Sequence, residues 1–167
     1  MIGGLDHPEF NSIVEEFHTR QKGWHVEHLW KMDKNGNKIA EYIGSRDRVA
    51  SEFTNWNLIF PKKTNSIHNH PASDAIPSPN DLLIFSASGG VHYIVCNRSI
   101  SEVSIGNPRR IWESWRLTHD WILMLAGLSE LGMSSSYLKL EHPLVELLSR
   151  YSIGFCFRQM REPGSLL

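Results

Sequence analysis

The sequence predicts an α/β domain: a single mixed β-sheet flanked by helices, followed by a helical C-terminal extension. Three observations predict it. An amphipathic helical segment leads into a hairpin marked by Asn35-Gly36. A strongly apolar strand, Val91 to Cys96, follows a helix closed by Gly89-Gly90. After Pro108 the apolar spacing turns helical.

The elements follow in order. Pro8 suits a first helical position, and Phe10, Ile13, Val14 and Phe17 fall at i, i+3, i+4 and i+7. Gly23 is the expected stop. Residues 24–32 are rich in Trp, Val and Leu and are expected to be a strand. Residues 38–43 form its return across the Asn-Gly turn, and Gly44-Ser45 end it. A short helix is expected near 46–54, then a short apolar run, Leu58 to Phe60, and a turn from Pro61 to Asn65. Ser66 to His70 is expected as a strand closed by Pro71. Residues 72–80 are loop, and a helix opens at Ser78 and runs to about Ser86. Glu102 to Ile105 should pair with the strand over 91–96. From Arg109 onward Ile111, Trp115, Ile122 and Leu125 share a side, and a last helix is expected from Pro143 to about Met160. The core is therefore placed in residues 1–108, with residues 109–167 packed on it as a helical extension.

Composition narrows the function classes. The 17 basic and 18 acidic residues leave a net charge of −1, with no global footprint for nucleic acid or an anionic membrane. Hydrophobic residues at 41% exclude wholesale disorder. The longest apolar stretch, Trp121 to Leu128, falls far short of the about 20 residues a spanning helix needs. No basic region followed by an apolar one marks a signal peptide, and the two cysteines, Cys96 and Cys156, form no framework. A cytoplasmic setting is expected. The 9 histidines are the one oddity.

Chemistry concentrates in Ile67 to Leu82. His68 and His70 are two apart, so on a strand both imidazoles point to one face. Seven residues intervene before Ser78, and Asp81 lies three beyond it. Two neutral imidazoles and a carboxylate suit a divalent borderline metal, above all Zn²⁺. Three protein ligands leave a fourth tetrahedral position for water, as in catalytic zinc sites. Ser78-Pro79-Asn80-Asp81 is equally a good helix start, with Ser as N-cap, Pro at the first position and an acid at the third. The two readings are compatible, since a capped helix holds Asp81 rigidly.

The pattern His68-x-His70-Pro71, with seven residues between His70 and Ser78, then Ser78-x-x-Asp81, resembles the JAMM motif of the JAB/MPN metallopeptidase family. Its wording is closest to the bacterial, phage-type and RadC-like branches. The resemblance implies an MPN-like, cytidine-deaminase-like architecture over roughly residues 8–106 and does not explain the tail. It implies that His68, His70 and Asp81 hold zinc and that Ser78 donates a hydrogen bond to the developing oxyanion. It also implies an upstream glutamate as general base and acid for a metal-activated water. Glu15, Glu16, Glu27, Glu41 and Glu52 are the candidates. Glu27, on the first strand ahead of the hairpin, fits the family layout best, and Glu41 is second.

The implied activity is hydrolysis of a peptide or isopeptide bond, with ubiquitin-like conjugates among the substrates. A homodimer or a partner chain through the C-terminal helices would account for the tail. The alternative is a RadC-like or inactive MPN module that binds protein or DNA; the intact ligand set argues against it. A metal-dependent nuclease is a third reading, disfavoured because Mg²⁺ and Mn²⁺ prefer oxygen-rich sites. Of the remaining candidates, His25 and His28 flank Glu27 and are read as ordinary strand positions. His92 is read as structural, and Asn69 faces away from the ligands. Trp112, Trp115 and Trp121 are read as core or interface, and Arg109, Arg110 and Arg116 as a solvated face.

Overall fold

The computed structural model describes residues 7–46, 63–71, 75–130 and 137–159. The helix expected near 46–54 and the apolar run at 58–60 lie outside them, as does Glu52.

Six strands form one sheet: β1 (His28–Met32), β2 (Lys38–Ile43), β3 (Asn65–Asn69), β4 (Gly90–Val95), β5 (Ser99–Ile105) and β6 (Gly154–Gln159). Their spatial order is β2-β1-β3-β4-β5-β6. Among the described residues β3 and β4 run parallel and the other pairs antiparallel, so the sheet is mixed. Helix α1 (Asn11–Gln21), entered through a 3-10 turn at Pro8–Phe10, covers one face. The other face carries α2 (Pro79–Ser88), α3 (Ile111–Glu130) and α4 (Tyr137–Arg150).

Alternation along the strands builds two cores. On the α1 side Phe10, Val14 and Phe17 pack against Trp30, Ile67, Tyr93 and Val95. On the other side Leu82 and Phe85 of α2 and Leu117 and Trp121 of α3 pack against Ile94 and Val103. Helix α2 is the crossover joining parallel β3 to β4. Strand β4 is buried at every position, which explains why apolar residues occupy both of its faces, with His92 the one exception.

Three sequence expectations are corrected. The first strand begins at His28 rather than at 24. Trp24 instead closes the α1 core, edge-on to Phe17 at 5.2 Å and stacked on His28 at 3.8 Å. The last helix ends at Arg150, starts at Tyr137 and carries Pro143 inside it. Residues 154–159, expected as helix, form β6 against β5. Phe155 and Phe157 face the α3 side and Cys156 the α1 side, a two-residue period that the preceding helical run obscures. Residues 109–159 thus add an edge strand as well as helices. Arg109, read as solvated, donates through its guanidinium to the Tyr151 carbonyl.

The start of β4 depends on glycine. Gly90 has φ +101°, and a Cβ there would meet the Thr64 carbonyl oxygen at 2.3 Å. Gly90→Ala should therefore lower the unfolding free energy by about 2 kcal/mol or more. A urea melt measures this, and an unchanged midpoint would contradict the close approach.

Candidate metal centre

Strand β3 supplies the first two ligands. Ile67 turns into the α1 core, so His68 faces the α2 side. His70 lies one residue past the end of β3, but its N–H still donates to Val95 O at 3.1 Å. The extended backbone therefore carries through, and the two rings come onto one side. Their Nε2 atoms are 3.0 Å apart.

Helix α2 supplies the third. Ser78 is its N-cap, with extended backbone and Pro79 at the first position. Ser78 Oγ accepts from Asp81 N–H at 3.2 Å, and Ser78 N–H donates to Asp81 Oδ2 at 2.7 Å. This reciprocal box locks the Asp81 rotamer. Asp81 Oδ1 lies 3.4 Å from His68 Nε2, and Oδ2 lies 3.4 Å from His70 Nε2. Burial alone would raise the Asp81 carboxyl. The imidazoles of His68 and His70, through charge and hydrogen bonding, outweigh burial and hold it well below the usual carboxylate range.

The spacing fits a cation. Ligand atoms at about 2.0–2.1 Å from a tetrahedral metal lie about 3.3 Å from one another. The three observed separations are 3.0, 3.4 and 3.4 Å. Among the described residues, His68, His70 and Asp81 are the one group of three or more His, Cys, Asp or Glu side chains that can hold a metal ion. The capping box and the ligand role coexist, because each carboxylate oxygen faces a different imidazole.

Register places two of the glutamates. The last pair of the antiparallel β1–β3 ladder toward the site is Leu29 with His68, and Glu27 lies two residues from Leu29, one residue ahead of β1. The Glu27 backbone is held in place by Ser45 O at 2.7 Å and Gly44 N at 2.8 Å. Glu41 pairs with Trp30, whose side chain lies in the α1 core, so Glu41 sits on the opposite face of the sheet. There it bonds Lys38 at 3.0 Å and His28 at 3.3 Å. Glu15 and Glu16 lie on α1, on that same opposite side.

Two further residues support the site. Asn69, between the ligands, is fully buried. Its Oδ1 accepts from His28 N–H at 2.6 Å, and its Nδ2 donates to Val26 O at 3.1 Å. It thus brackets Glu27 and ties the start of β1 to the ligand strand. A strongly polar residue in a buried strand was the available signal, because such a group must find partners.

His92 lies behind His68. It is stacked on Phe85 at 4.2 Å, and Phe85 in turn packs on the His68 ring. Gly89 O, 3.0 Å from His92 Nε2, can only accept, so Nε2 carries the proton and Nδ1 accepts from the Ser66 hydroxyl at 2.8 Å. Burial pushes His92 down to about 3, with the Gly89 bond opposing, and the ring stays neutral. His28 stacks on Trp24 on the far face, and His25 is exposed. Trp112 and Trp115 are also exposed, whereas Trp121 is buried.

Comparison of the chain with protein-family models, with curated proteins and with solved structures found no match in any of the three.

Two outcomes are expected of variants. Asn69→Ala leaves the His28 N–H and the Val26 carbonyl without their partner and should cost about 1–3 kcal/mol in a denaturant melt. In metal-free protein Asp81 contributes stability that is present above its ordinary value of 3.8 and is lost as pH falls through its depressed folded value. Asp81→Asn should flatten that acid limb in a pH series of thermal melts. A limb identical to wild type would contradict the pairing with His68 and His70.

Proposed function

We propose that the chain is a zinc-dependent peptidase or isopeptidase of the JAMM type. The observation that carries this reading is the convergence of His68, His70 and Asp81 at 3.0–3.4 Å on one face of the sheet. Two imidazoles and one carboxylate favour zinc over the hard, oxygen-seeking cations. A sheet with α1 on one face and α2 crossing the other is in keeping with the MPN-like architecture that the motif implies.

A zinc ion held there supplies an acidified water and a Lewis acid for the substrate carbonyl. His68, His70 and Asp81 hold the ion, and Asp81 is itself held by the Ser78 N–H. Glu27, one residue ahead of β1, takes the proton of the nucleophile and returns it to the leaving amine. Ser78 Oγ accepts from Asp81 N–H, which leaves its own proton to donate to the developing oxyanion. Asn69 keeps Glu27 in register through the backbone on either side of it. Substrates of this chemistry are peptide or isopeptide bonds on an extended tail, ubiquitin-like conjugates among them.

Metal analysis of the purified chain should find about one zinc per chain, lost in His68→Ala/His70→Ala. Glu27→Gln should keep the zinc and lower turnover of a ubiquitin-like fusion or peptide substrate by about 10²-fold or more. Zinc without hydrolysis across such a screen would instead favour the binding-module reading. Zinc occupancy should also fall with falling pH, because protons compete with the metal for its ligands.

A further inference from the structure

We propose that α3 braces the metal site: the Trp121 indole N–H, bonded to the Pro77 carbonyl, fixes the segment that presents Ser78 and Asp81 to the two histidines. This rests on the reading of His68, His70 and Asp81 as metal ligands.

The ligands come from two elements, and a working site tolerates a displacement of only about 0.5 Å between them. The capping box fixes Ser78 and Asp81 relative to each other. It does not fix either one relative to β3. Something outside α2 must therefore hold its first turn in place.

Helix α3 is positioned to do so. It runs antiparallel to α2. Arg109 N–H, just ahead of α3, donates to Ser86 O near the end of α2 at 2.8 Å. Trp121, further along α3, reaches the residue before the N-cap of α2, its Nε1–H donating to Pro77 O at 3.1 Å. Between them, Thr118 Oγ1 lies 3.5 Å from Pro79 O. Trp121 is fully buried, and Pro77 is buried with it. A buried carbonyl needs a donor and a buried indole N–H needs an acceptor, so each satisfies the other. Ser78 N–H is already committed to Asp81, and neither Pro77 nor Pro79 has an N–H to give.

The brace is anchored at its own far side. Tyr151 O–H donates to Asp120 Oδ2 at 2.5 Å, next to Trp121. Arg109 donates to the Tyr151 carbonyl. The turn after α4 thus holds α3, and α3 holds the start of α2. This gives the segment beyond residue 109 a role that the motif alone does not supply.

The test is zinc affinity by competition with a chromophoric chelator, on the full chain. Trp121→Phe keeps an aromatic side chain, smaller than the indole, and removes the N–H. It should weaken zinc binding by about 10–100-fold, the usual effect of removing a partner behind a ligand. Leu117→Val, a buried change on the same helix without polar contact to the Pro77 segment, should lower thermal stability yet keep wild-type affinity. Equal affinity for Trp121→Phe and wild type would overturn the brace, as would an equal loss in Leu117→Val.

A second measurement needs no variant and decides the matter if Trp121→Phe does not fold. Coupling is reciprocal, so zinc should slow hydrogen exchange at the Trp121 indole in the wild-type chain. Exchange unchanged by saturating zinc would overturn the proposal. A wild-type chain that binds no zinc would remove the metal reading itself, a failure distinct from the loss of the brace alone.

Discussion

The reciprocal bond between Ser78 and Asp81 is the constraint on which the site depends. It ends a loop, starts α2 and aims a carboxylate in a single arrangement. Asp81 Oδ2 accepts from Ser78 N–H and also faces His70, while Oδ1 is left for His68. A carboxylate free to rotate would lose side-chain entropy on meeting a cation. This one has already lost it to a helix cap. Its place in the first turn also puts negative charge at the positive end of the helix.

The fold then brings that helix start to the right strand. The one parallel pair, β3 and β4, requires a crossover, and α2 is that crossover. The carboxyl end of β3 and the amino end of α2 therefore meet, at the position where open α/β sheets commonly place their ligands. On one side β1 runs antiparallel to β3, and Asn69 ties the backbone on either side of Glu27 to the ligand strand. On the other side α3 packs along α2. Buried and neutral behind the ligands, His92 is hydrogen-bonded at both ring nitrogens, and Phe85 lies between it and His68.

Much of this was legible in the sequence, and for physical reasons. The two-residue spacing of His68 and His70 and the Ser-Pro-x-Asp helix start are local patterns, and local geometry expresses them directly. The hairpin at Asn35-Gly36 and the buried strand at Gly90–Val95 are local in the same sense. What was not legible depends on distant partners. Strand β6 exists because β5 offers an edge, and its short alternation lies directly behind an amphipathic helix that masks it. That Glu41 lies on the face away from the two histidines follows from its pairing with Trp30, that is, from register rather than from spacing. Trp121 and Asn69 are each conspicuous in sequence as buried polar atoms in need of a partner. Only the packing shows that those partners are Pro77 and the backbone around Glu27.

X-ray absorption spectroscopy of the zinc-loaded chain reads the ligand shell itself. Four light-atom ligands at about 2.0–2.1 Å with the outer-shell scattering of two imidazoles are expected, with loss of that scattering in His68→Ala/His70→Ala. Sulfur ligands at about 2.3 Å would contradict this ligand set by pointing to Cys96 or Cys156. So would a shell without imidazole, which would place the ion away from β3.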